Sequence, residues 1–131
     1  APRCANTRRA MALLGGESAA HAAKATHAAW HAAISRAVAQ GARGEQVDLG
    51  AFQEHVSPRV VFRPPTYWGE WHGPDAFLML MECVSDVFGS SLKYTRELLS
   101  PDGREWALTF EASAGGVPLV GVDLVRLDEQ G

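Results

Sequence analysis

The chain has 131 residues, 47% of them hydrophobic, and carries 15 acidic against 12 basic side chains for a formal charge of -3. That is the size of one domain able to bury a core without disulfide or metal staples, and the intermixed charge excludes a basic nucleic-acid face and an acidic solvating tail. No apolar run approaches the roughly 20 residues of a membrane span and residues 1–10 lack the apolar centre of a secretory signal, so no membrane is expected, the cytoplasm is the expected compartment, and a small molecule or a second protein chain the expected partner.

Regular pattern begins near Met11, so residues 1–12 are read as a flexible arm and 13–131 as a single domain. Glu17 to Gln40 is rich in alanine, and Ala23, His27, Trp30, Ile34 and Val38 recur at helical steps along one stripe; this predicts a long amphipathic helix stopped at Gly41. Asp48 is the expected N-cap of a short helix whose Leu49, Phe52 and Val56 share a face, ended by Ser57-Pro58. Val60, Val61 and Phe62 form a short strand cut off by Pro64-Pro65, followed by an aromatic stretch holding Tyr67, Trp68 and Trp71. Gly73-Pro74-Asp75 opens a third helix, with Pro at its first position and Asp at the positive end of its dipole. Phe77, Leu80, Met81, Val84 and Phe88 make its buried stripe, Cys83 is expected as a buried free thiol within it, and Gly89 ends it.

The remainder reads as strand and turn. Leu92 to Leu99 is a strand, Ser100-Pro101-Asp102-Gly103 a turn, Glu105 to Ala114 the next strand, and Ala114-Gly115-Gly116 the turn into Val117 to Leu127. In the last strand Val117, Leu119, Val125 and Leu127 alternate with Val120, Val122 and Leu124, so both faces need covering: helices for one, a second copy of the chain for the other.

This order of elements, together with RVVFRPPTYWGEWHGPDAF and VPLVGVDLVRLDEQG, resembles the nuclear transport factor 2-like superfamily and, within it, the SnoaL-like group. The resemblance spans Glu17 to Gly131 and is most specific at Trp71-His72-Gly73-Pro74-Asp75 and at the GVDLVRLDEQG ending. It implies an α+β fold of the cystatin-like type, a conical barrel of curved antiparallel sheet packed on three helices around a deep apolar pocket, often dimeric through the outer face of the sheet. Members continue after Asp128 to Gly131 with a further strand, which is expected to be missing from this sequence.

Asp123 is the strongest single signal, because alternation puts it on the face of Val117, Leu119, Val125 and Leu127. A carboxyl there is either a pocket acid with a raised pKa or a structural partner of a buried Arg, Tyr or Trp, and the sequence leaves both open. In the similar ketosteroid isomerases an Asp at the matching place helps stabilise a developing oxyanion. Those enzymes also need a carboxylate base just after the first strand, where this chain has Arg63, Pro64 and Pro65, which argues against that reaction. One of Arg96 and Glu97 is expected to point inward; Arg96 is a second candidate, expected to pair with Asp123 or Glu111 if it does, in a set similar to that of the limonene-epoxide hydrolases.

His27 and His31 stand one helical turn apart, as zinc ligands do, but no Glu or Cys has a spacing that adds a third ligand, so no metal is expected and His27 is kept as a pocket acid or base. Trp30, Tyr67, Trp68, Tyr94, Trp106 and Phe110 are the candidates for lining a site for a flat apolar ligand. No phosphate loop, nucleophile elbow or cofactor signature occurs. Two functions stand: a cofactor-free lyase, isomerase, cyclase or hydrolase acting on a hydrophobic ring-containing molecule, with Asp123 assisted by His27, Arg96 or Glu111, and a non-catalytic ligand-binding or dimerisation module.

Overall fold

The structure, a computed structural model, describes residues 3–65 and 69–131, with side chains of the first helix described from Gly15 onward. Helix α1 runs from Arg3–Ala42, well before the start expected from periodicity. Its buried face is Ala23, Thr26, Trp30, Ala33, Ile34 and Ala37. Four of these six are helix-forming or β-branched residues too small to hold a sheet at arm's length, so the helix lies close on the strands below it.

Gly41 does not stop α1. The chain reverses at Gly44, which has φ 67° and donates to the Gly41 carbonyl (3.1 Å) while Glu45 donates to that of Gln40 (3.0 Å), the paired bonds of a Schellman ending. Gly41 serves a different purpose: a Cβ there would meet the Gly89 backbone at 2.9 Å. The short second helix is a 3-10 helix, Gly50–His55, and Asp48 accepts from Gly50 N (2.8 Å) one residue ahead of it. Helix α2, Pro74–Phe88, starts and stops where its Pro and Gly89 predict, but Cys83 is exposed rather than buried, lying off the stripe formed by Phe77, Leu80, Met81, Val84 and Phe88.

Strands β1 (Val61–Phe62) and β2 (Trp71–His72) pair antiparallel as a short ribbon. Strands β3 (Lys93–Leu99), β4 (Glu105–Ala114) and β5 (Val117–Arg126) form a separate antiparallel sheet in that order. The inner face of β4 contributes Trp106, Leu108, Phe110 and Ala112, and Leu108 is fully buried. Together with Trp30, Ile34, Phe52 and Met81 these residues make the core, in an α+β fold of helices packed on antiparallel sheet.

Strand β3 breaks its own alternation. Tyr94 pairs with Phe110 and Arg96 with Thr109, so Thr95 is an extra residue, a bulge that reverses side-chain parity. Inward positions are therefore Tyr94, Glu97 and Leu99, opposite Phe110, Leu108 and Trp106, and outward ones are Arg96 and Leu98. On β5, Gly121 lies opposite Phe110, whose ring occupies the space a Cβ would need. Replacing Gly121 with Ala therefore overpacks the sheet, and urea denaturation is expected to show a loss of about 1–3 kcal/mol; unchanged stability would mean that the ring moves aside freely.

Candidate functional site

On the inner face of the sheet two cross-strand rows lie side by side. One is Tyr94, Phe110 and Gly121; the next is Glu97, Leu108 and Asp123. The second row places a carboxylate at each end with the fully buried Leu108 between them. Strands two ladder steps apart are separated by about 9.5 Å, so the two acids stand on either side of a packed core residue rather than touch.

Asp123 is half-buried, and its Oδ2 accepts a hydrogen bond from the Tyr94 hydroxyl at 2.8 Å. The Tyr94 oxygen in turn accepts from Trp30 Nε1 at 3.1 Å. The chain of bonds thus runs from α1 through β3 to β5. Burial pushes the Asp123 carboxyl above the ordinary aspartate value, and the Tyr94 hydrogen bond only partly opposes it. One bond to a charged group contributes about 1.5–3 kcal/mol, less than the cost of withdrawing a carboxylate from water, so desolvation wins. The Tyr94 phenol is held well above its normal range, chiefly by burial and then by the neighbouring Asp123 charge, and so stays protonated as a donor.

The other end of the row is electrostatically opposite. Glu97 Oε2 lies 2.7 Å from His31 Nε2 and 3.0 Å from His27 Nε2. Burial works against its ionisation, but the hydrogen bonds from His31 and His27 outweigh that and leave its pKa lowered. His27 stands edge-on to Trp106, with centroids 4.8 Å apart, and His31 edge-on to Tyr94 at 5.7 Å. The row thus joins a carboxyl whose pKa is raised to one whose pKa is lowered, a difference that suits acid and acceptor roles.

Of the candidates read from sequence, Asp123, Tyr94, Trp30 and His27 are brought to this face. Arg96 and Glu111 are not: the bulge turns Arg96 outward against Thr109, and Glu111 lies opposite Lys93 and Val120 on the exposed side. The expected pairing of Arg96 with Asp123 or Glu111 does not form among the described residues, and tyrosine takes the place of arginine. Trp30, Trp106 and Phe110 are core residues, only 6%, 3% and 9% exposed. Trp106 spends its indole N–H on the Gly103 carbonyl (2.6 Å). Two open surface hollows, one by Asp102 and Arg126 and one by Gly50 and Glu54, include none of the expected ligand residues. Tyr67 and Trp68 lie outside the described residues. Glu97, the alternative to Arg96 as the inward residue, was not among the candidate site residues, because strict alternation from Tyr94 puts it on the other face and nothing local in KYTRELL marks the extra residue.

No family model and no curated protein matches the chain. Among solved structures it is similar to a steroid delta-isomerase from Pseudomonas aeruginosa, with 34% identity over 84% of this chain and 72% of that one, and a TM-score of 0.71. The chain belongs to the nuclear transport factor 2-like superfamily. The superfamily's steroid-isomerase-type fold is thus the frame in which Asp123 is held, and an isomerase-type enzyme or a ligand binder is the functional class it suggests. Where a superfamily isomerase is expected to carry a carboxylate after its first strand, Arg63 here donates to Glu70 Oε1 at 2.6 Å, both side chains being exposed. No described helix is long and apolar enough to cross a membrane.

The opposed causes acting on Asp123 give a signed prediction. Tyr94→Phe removes the bond that lowers its pKa, so carboxyl-carbon NMR titration is expected to find Asp123 above about 3.9 in the parent and higher still in the variant. Because the folded value is raised, Asp123 favours folding below the unfolded pKa and loses that contribution as pH climbs through the folded one; Glu97, with its value lowered, favours folding above the unfolded pKa and loses its contribution as pH falls. A fall in the Asp123 value on Tyr94→Phe would overturn this account.

Proposed function

We propose that this chain is an isomerase-type enzyme whose inner sheet face takes a small, hydrophobic, ring-containing molecule, with Asp123 as the acid that meets its oxygen. The observation that carries this reading is the Trp30–Tyr94–Asp123 chain of hydrogen bonds, packed against the apolar core. A neutral carboxyl donates a hydrogen bond to a carbonyl oxygen, and that bond strengthens as the oxygen gains negative charge when a proton leaves the neighbouring carbon. The departing proton needs an acceptor, and Glu97 with its two imidazoles, its pKa lowered, stands at the opposite end of the Leu108 row from the acid. The 34% identity to a protein described as a steroid delta-isomerase supports a steroid-like, fused-ring molecule as the substrate class.

The rival reading, binding without turnover, draws on the Asp123 oxygen already engaged by Tyr94 and on the close packing of Trp30 and Trp106. Ligand-induced thermal shift and turnover of ring ketones separate the two. Asp123→Leu, which removes donor and charge at similar volume, is expected to lower turnover by about 10²–10³ and to abolish the shift, while Asp123→Asn, which keeps an N–H, retains part of both. A shift with no turnover favours the binder, and a shift that survives Asp123→Leu removes Asp123 from the site.

The outer face of the sheet exposes Leu98, Val120, Val122 and Leu124, the last two 53% and 79% accessible. Contiguous apolar side chains at such exposure support a homodimer through this face, with a second copy as the occupant. The exposed thiol of Cys83 supports a reducing, cytoplasmic setting. Sedimentation is expected to give a dimer for the parent and a folded monomer for the Val122→Lys, Leu124→Lys double variant; a monomeric parent rules the interface out.

A further inference from the structure

We infer that His27, His31 and Glu97 form a binding site for one divalent transition-metal ion of the zinc class. The two histidines lie one helical turn apart on α1, with Nε2 atoms 3.2 Å from each other, and Glu97 Oε2 closes the triangle at 2.7 and 3.0 Å. All three ligand atoms lie within 4.8 Å of one another. A tetrahedral zinc with bonds of about 2.0–2.1 Å needs neighbouring ligand atoms about 3.3 Å apart, so the set must open by only a few tenths of an ångström.

Three further observations bear on it. The rings are oriented by their neighbours, His27 against Trp106 and His31 against Tyr94, so little ordering is required on binding. Both imidazole Nε2 atoms meet the same Glu97 oxygen, Oε2, so one carboxylate oxygen completes the set. The side chains are 20%, 36% and 34% exposed, which leaves one side of the triangle open to a solvent ligand. Two imidazoles and one carboxylate with an open position is a set used by catalytic rather than closed structural zinc.

The histidine spacing alone gave two ligands; the third comes from β3, 66 residues beyond His31, and only because the bulge turns Glu97 inward. The inference needs nothing from the role of Asp123, but it engages Glu97 and the two imidazoles that the proposed function uses as proton acceptor. With an ion in place Glu97 would be its ligand rather than a free acceptor, and a water on the open position, its pKa lowered to about 7 by zinc, would take over that role.

Calorimetric titration of the chelator-treated chain with zinc chloride, with cobalt chloride as a spectroscopic probe, tests it directly. One ion per chain is expected, with the visible absorption of four-coordinate cobalt. His31→Ala and Glu97→Gln should each weaken binding by at least about tenfold, and His21→Ala, an exposed histidine on the same helix, should not. Should a variant fail to fold, proton NMR of the parent gives the answer, since zinc must shift the His27 and His31 ring resonances at one equivalent. Absence of stoichiometric binding, ring resonances that do not move, or binding that survives both substitutions overturns the site.

Discussion

Thr95 has no partner across the ladder, and that single unpaired residue decides what the inner face of the sheet offers. Strand geometry sends successive side chains to opposite faces, so Tyr94 and Glu97, three positions apart, would ordinarily part company. The bulge puts both inward, in adjacent rows with Phe110 and Leu108. Without it the tyrosine that holds Asp123 and the carboxylate that meets the histidines could not share one surface, and Arg96 would stand where Glu97 does.

Around that constraint the polar groups are few and specifically partnered. Trp30 serves the apolar core with its rings and the hydrogen-bond chain with its N–H, while Tyr94 passes the connection on to Asp123. The indole also places a donor against the tyrosine oxygen, so the phenol proton is directed to the carboxylate rather than elsewhere. Such a chain fixes orientation more than it adds stability, because each link repays only part of the desolvation of its members. The alanine-rich face of α1 lets the helix approach closely enough for these links to form.

Much of this was legible in the chain's own pattern. Alanine content and the Trp30–Ile34 stripe announced α1, Pro74 and Gly89 bracketed α2, and alternation in GVDLVRL turned Asp123 inward. What escaped reading had a common cause: it depends on pairing between segments. A bulge is defined by the partner strand, so the choice between Arg96 and Glu97 as the inward residue stayed open in the sequence, and Arg96 was carried as the site residue. The same holds for Gly41, whose role is set by Gly89, far along the chain, while the true stop at Gly44 hid in a loop. Cys83 sits off the stripe its neighbours define, a distinction that a merely apolar run blurs.

The contact of Gly41 with Gly89 has a consequence well away from where it occurs. It is a bare backbone touching another, with no side chain to yield, and so it works as a gauge block for the axial position of α1. Sliding a helix by one residue moves everything on it about 1.5 Å, which is more than the tolerance of atoms 2.7 to 3.2 Å apart at His27, His31 and Glu97. From Gly41 back to His27 is about 21 Å of helix, traversed with little give. The alignment of the imidazoles with the sheet is thus metered by two glycines that carry no chemistry of their own.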